Sequence, residues 1–211
     1  MGFGILFFGY LMLFNVPYKG IDFPPDILAY ILIFIALNKL SLYGKKIKIA
    51  SYICIPLLAQ SALKIALQLA GLFVEIPGKD VFFNALAISD MTLTLPFHFF
   101  MLIGFAELAS EVELPKLSGK CKRNFAIVCF CYLVTLFFYL YNYDIIPFIR
   151  GVQKNQVLAL QQLFGYVMRF MNILLISSCY RLICLEGDED MPYTPNKFEK
   201  FMTNLIKGDK K

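Results

Sequence analysis

Six long apolar stretches decide the solvent in which this chain can fold. They run from Phe3 to Val16, Ile27 to Tyr43, Ile49 to Val74, Met91 to Ala109, Phe125 to Tyr143 and Val157 to Leu185. A hydrocarbon core about 30 Å thick takes roughly 20 helical residues, a length the last four reach. Composition points the same way, with 59% hydrophobic and 17% charged residues against roughly 45–50% and about 25% in soluble domains. The mean hydropathy is +0.66. The expected fold is therefore all-α, an integral membrane bundle of six transmembrane helices over residues 1–185, with a cytoplasmic tail at 186–211.

The first stretch is the short one. Its fourteen residues cover only about 21 Å at about 1.5 Å per residue, so it must thin the bilayer, extend through Pro17 or be partly re-entrant. It lacks the basic n-region and small-x-small cleavage site of a signal peptide. Leu6 also stands where a myristoylation signal needs Ser or Thr.

Basic residues test the segment count independently. Connections expected in the cytoplasm carry Lys39, Lys45, Lys46 and Lys48, then Lys116, Lys120, Lys122 and Arg123, then Arg181 and five tail lysines. Those expected outside carry Lys19, Lys79, Arg150 and Lys154. The alternation is the positive-inside pattern and places both termini in the cytoplasm. A count of five spans is compatible with the same pattern, since losing the first crossing moves only the N-terminus. Outer connections are acidic, with Asp22, Asp26, Glu75, Asp80, Asp90 and Asp144, so the net charge of +5 conceals faces of opposite sign. The expected partners are the bilayer and anionic lipid at its cytoplasmic face; nucleic acid is not implied.

Phe23-Pro24-Pro25 opens the second segment, Ile76-Pro77-Gly78 breaks the third, and Leu114-Pro115 with Ser118-Gly119 is read as a loop. Pro56 and Pro96 fall inside segments, where they either frame a cavity or adjust packing. The cytoplasmic ends of the even segments carry Lys39-Leu40, Glu107-Leu108 and Arg181-Leu182, a pattern compatible with three helical-hairpin repeats and a site on their common axis. Mitochondrial carriers share that plan, but their Pro-x-acidic-x-x-basic signature is missing.

Polar residues inside the spans carry the functional information. At about 100° per residue, Gln60, Lys64 and Gln68 fall on one stripe of the third segment about 80° wide. Gln162, Arg169 and Asn172 occupy a similar arc of the sixth, and His98 lies midway along the fourth beside Pro96. Lysine at a helix centre costs about 2.5–3.5 kcal/mol of insertion free energy, so Lys64 must face protein or water. With Asp90 and Asp144 read at the outer ends and Glu107 near the inner one, no carboxylate is expected at the depth of Lys64, His98 and Arg169. Such cations can snorkel, lose a proton, pair with carbonyls and Gln side chains, or bind an anion. His98 reads as a satisfied core histidine or a proton relay.

In the tail, Thr194 and Pro195 open a helix over about 195–207. Phe198, Phe201, Met202, Leu205 and Ile206 line one side and lysines the other. It is expected to lie on the cytoplasmic leaflet or against the inner face of the bundle.

No G-x-S-x-G, H-E-x-x-H, Walker loop or dinucleotide turn occurs, so no catalytic residue is singled out. The six cysteines show no C-x-x-C and the chain has one His, so neither a metal nor another cofactor is implied. The opening GFGILFFGYL and the inner loop NKLSLYGKKIKIASY resemble small uncharacterised polytopic membrane proteins of Gram-positive, Clostridia-like bacteria. That resemblance implies a bacterial plasma membrane and lends no activity. The leading expectation is a membrane protein that binds or transports a small anionic solute or lipid headgroup through Lys64 and Arg169. Its rival is a non-transporting scaffold that presents basic loops and tail to another protein or to anionic lipid.

Overall fold

The computed structural model describes residues 2–14, 16–18, 21–23, 26–73, 79–142 and 154–183; the expected tail helix at about 195–207 lies outside them. Among the described residues are α1 (Gly2–Met12), α2 (Asp26–Leu40), α3 (Lys45–Phe73), α4 (Lys79–Glu111), α5 (Pro115–Asn142) and α6 (Lys154–Ile183). A short 3-10 turn, Ser41–Tyr43, joins α2 to α3. Each helix packs on its neighbours in sequence and α6 returns to α1, so the six form a closed ring. Apolar stretches in α2, α3, α4 and α6 are long enough to cross a membrane. Every helix also turns large apolar side chains outward, among them Phe8, Ile31, Ile55, Ile88, Leu133 and Phe170, as a bundle solvated by lipid tails requires.

The sequence reading differs from this architecture in three places. The strands β1 (Val16–Tyr18) and β2 (Ile21–Phe23) pair antiparallel where only a connection was expected. Helix α4 begins at Lys79, so Asp90 sits three turns inside it. Those first turns read as a connection in the sequence because they carry Lys79, Asp80, Asn84 and Asp90 among their apolar residues. Pro115 opens α5 and Ser118-Gly119 is helical, not a loop. Proline suits a first helical position, where its missing N–H would have had no partner anyway.

Close helix approach builds the ring, since lipid supplies no hydrophobic drive between helices and van der Waals packing must do so. At Gly9 an added Cβ would come within 2.8 Å of Ile33 Cγ1 and 3.2 Å of the Ala29 carbonyl oxygen. This approach seats the short α1 against α2, with Phe3, Leu6 and Tyr10 buried. Gly104 plays the same part between α4 and α3, 2.6 Å from Ile47 Cγ1 for a Cβ there.

The α4–α5 corner is capped by its own backbone. Leu114 N–H donates to Ala109 O at 2.8 Å and Glu113 N–H to Ser110 O at 3.2 Å, the paired bonds of a Schellman turn. Glu113 occupies its left-handed position with φ 58°. Beyond this corner Lys46 Nζ meets Glu107 Oε1 at 2.6 Å, and this end of the bundle is called the basic end below. The opposite end carries the β1–β2 ribbon.

The core is thickest toward the basic end, where Phe3, Leu6, Ile33, Leu37, Met101 and Phe105 are buried. Toward the ribbon end the ring encloses a polar cavity.

Candidate functional site

The cavity measures about 310 Å³ and takes side chains from all six helices or their immediate ends. Its lining includes Tyr10 and Leu13, Asp26 and Tyr30, Gln60, Ser61 and Lys64, Asp90, Thr94 and His98, Tyr132, Met168 and Arg169. Helix periodicity explains the convergence. Gln60 and Lys64 are four residues apart on α3, Asp90, Thr94 and His98 repeat every four on α4, and Asp26 and Tyr30 do so on α2, so each set shares one helix face.

Lys64 Nζ lies 3.6 Å from Asp26 Oδ2, with side-chain exposures of 37% and 19%. The expectation that no carboxylate reaches the depth of Lys64 is therefore overturned. Asp26 opens α2 as its first helical residue, so the ring brings it to the α3 stripe. Asp90 enters the same cavity because α4 starts earlier than its apolar core suggests. Two cations and two carboxylates thus face one space, and the walls carry no net charge.

Arg169 Nη1 donates to Leu13 O at 2.8 Å. Leu13 follows the last residue of α1, so the guanidinium caps the end of that helix and meets the negative pole of its dipole. The guanidinium also lies 5.9 Å from the Tyr166 ring centroid, a cation–π contact. A guanidinium has five N–H donors in a planar fork, so capping one carbonyl leaves others for a ligand in the cavity that Arg169 lines.

His98 stands at the cavity floor, only 3% exposed. Its Nδ1 lies 2.8 Å from Thr94 O. That carbonyl can only accept, so Nδ1 carries the proton and donates, leaving Nε2 with a lone pair. Nε2 is buried without a hydrogen-bond partner, as are Ser61 Oγ and Gln60 Oε1. Tyr10, Phe97 and Tyr132 surround the ring, and Tyr10 donates to Met101 Sδ at 3.3 Å, closing the floor. Above it Thr94 Oγ1 donates to Asp90 Oδ1 at 3.4 Å. Gln60 Nε2 donates to the Leu86 carbonyl, tying α3 to α4. Buried polar atoms are ordinarily satisfied; the three left over here border a space large enough for a solute or water.

Of the residues singled out from sequence, Lys64, Arg169, Gln60 and His98 come together. Gln68 lies one turn beyond on α3 and is outside the cavity lining; its Oε1 is buried without a partner. Gln162 is exposed. Asn172 is fully buried and accepts a hydrogen bond from Asn124 Nδ2 at 2.9 Å, stitching α6 to α5. Sequence reasoning missed Asp26, Asp90, Thr94, Ser61 and the three tyrosines. The four-residue spacing of Asp90, Thr94 and His98 was the available signal. From sequence alone Asp90 reads as part of an outer connection, which hides that spacing.

Comparison with family models, with curated proteins and with solved structures gave no match.

Proposed function

We propose that this chain is a multi-pass membrane carrier that binds a small solute bearing an acidic group, or a lipid headgroup of that kind, in the cavity at the ribbon end. Arg169 and Lys64 recognise the acidic group, and Gln60, Ser61 and His98 supply uncommitted polar atoms. The observation that carries the reading is the convergence of charged side chains with three buried, unpartnered polar atoms on one space. Ionisable residues within membrane spans ordinarily face a bundle interior or a water-filled path and mark where something polar passes. The thick apolar core below His98 supports an access state closed toward the basic end and reachable from the ribbon end.

In this reading all six helices cross a bacterial plasma membrane with both termini in the cytoplasm, α1 doing so as a short helix seated on α2. The charge partition favours that orientation, and the outward apolar faces of α1 and α5 favour their contact with lipid. Anionic lipid gathers at the basic end, around Lys46 and Lys122. The rival scaffold reading rests on the basic connections and on the tail helix, which lies outside the described residues.

The test is thermal unfolding of the detergent-purified protein with inorganic phosphate and with short carboxylates. Stabilisation follows RT ln(1 + [L]/Kd), about 2.7 kcal/mol when the ligand is at about 100 times its Kd. Arg169→Gln should remove the shift. A shift equal in wild type and variant, or none with any acid, would end the proposal.

A further inference from the structure

The cavity walls are electrically balanced, and the two cations and two carboxylates are not equally committed. Lys64 and Asp26 are already in contact at 3.6 Å. Among the described residues no ion pair joins Asp90 or Arg169; Asp90 accepts from Thr94, and Arg169 caps Leu13. Asp90 and Arg169 both line the cavity, and both also line a second recess of about 250 Å³ among α4, α5 and α6. A lone anion entering here would meet Arg169 but also face Asp90, and a lone cation would meet the reverse. Like charges brought together in one cavity disfavour binding, so such a site discriminates by repulsion as well as attraction.

Resting on the carrier reading above, we propose that the ligand is a zwitterion with an apolar substituent: its acidic group on Arg169, its ammonium on Asp90, and its substituent in the recess. The recess suits that substituent, since Met91, Cys131, Phe164 and Met168 contribute to its lining. At Gly165, also in the lining, an added Cβ meets nothing within 4 Å, so the space beside it is open. His98 Nε2 and Ser61 Oγ, on residues 3% and 6% exposed, together with Gln60 Oε1 are the buried polar atoms left to complete the ligand's hydrogen bonds. The same chemistry is available from a free amino acid with an apolar side chain and from the headgroup region of a phosphatidylethanolamine.

A matched set of probes tests this on the full-length purified protein: L-leucine, its des-amino acid 4-methylpentanoate, and its decarboxylated amine 3-methylbutylamine. For the lipid source, the protein is placed in nanodiscs of phosphatidylethanolamine or of phosphatidylglycerol. The expected result is stabilisation by leucine at concentrations at least about tenfold below those of either half-molecule, as loss of one charge-assisted contact implies, or a matching preference for phosphatidylethanolamine. Asp90→Asn should abolish that preference. Gly165→Val, whose Cβ enters open space, should weaken leucine more than glycine. Equal response to leucine and 4-methylpentanoate, or a preference that survives in Asp90→Asn, would overturn the zwitterion and leave the acid-group reading standing. Silence from every probe would overturn the zwitterion, and the acid-group reading falls with it only if phosphate and the short carboxylates are silent too.

Discussion

Lys64 on α3 is held 3.6 Å from Asp26, the first residue of α2, so the lysine within an apolar span is one half of an ion pair. Lys64→Met should lower stability by about 1 kcal/mol, because the pair is partly exposed and the lost attraction is screened. Asp26→Asn in the same chain should recover most of that loss, since the carboxylate that loses its lysine is neutralised with it. Thermal unfolding of the two single variants and the double variant gives the coupling directly; additive losses would mean the contact contributes nothing.

Asn172 and Asn124 predict a different outcome. Both are buried and share one hydrogen bond, so Asn172→Leu strands the Asn124 amide and should cost about 1–3 kcal/mol. Solute-dependent stabilisation should be unchanged, because the pair stands apart from the cavity. A lost solute response with intact folding would place Asn172 in the site after all.

Glycine substitutions should separate close helix contacts from open ones. Gly104→Ala forces a methyl group against Ile47, including its backbone nitrogen at 3.1 Å, and should cost about 1–3 kcal/mol by overpacking. Gly119→Ala meets nothing within 4 Å on α5 and should stabilise by about 0.5–1 kcal/mol through helix propensity. Melting temperatures that move together would contradict the close α3–α4 approach.

Glu113 is a non-glycine residue at the left-handed position of the α4–α5 corner. Glu113→Gly relieves the steric cost of that conformation and should raise stability by about 1 kcal/mol, measured by thermal or denaturant unfolding.

His98→Phe conserves the ring among Tyr10, Phe97 and Tyr132 but deletes the Nε2 lone pair. Unfolding should change little, whereas affinity for the stabilising solute should fall about five- to tenfold, the worth of one hydrogen bond of about 1–1.5 kcal/mol. Titration calorimetry with the best probe from the leucine set makes the measurement. An unchanged affinity would assign His98 to packing alone.

How much of this was legible beforehand depends on whether a feature is local or relational. Apolar runs, the four-residue stripe of Gln60 and Lys64, and the partition of lysines between the two ends are local, because helix periodicity and insertion cost act within one segment. The sequence by itself therefore determined a helical membrane bundle with a polar face on α3 and cations at mid-depth. It misjudged where α4 begins because charged residues in the first turns read as a loop. Asp90 lines the shared cavity, where an ionisable side chain on a membrane helix is tolerated. The partner of Lys64 was decided only by the tertiary structure. Asp26 lies 38 positions earlier in the chain, and which residue faces which depends on how each helix is rotated and shifted against its neighbour. Those are set by packing contacts such as Gly9 on Ile33 and Gly104 on Ile47. Ring closure then turned a row of isolated cations into a balanced site, with Asp26 beside Lys64 and Asp90 facing the same space as Arg169.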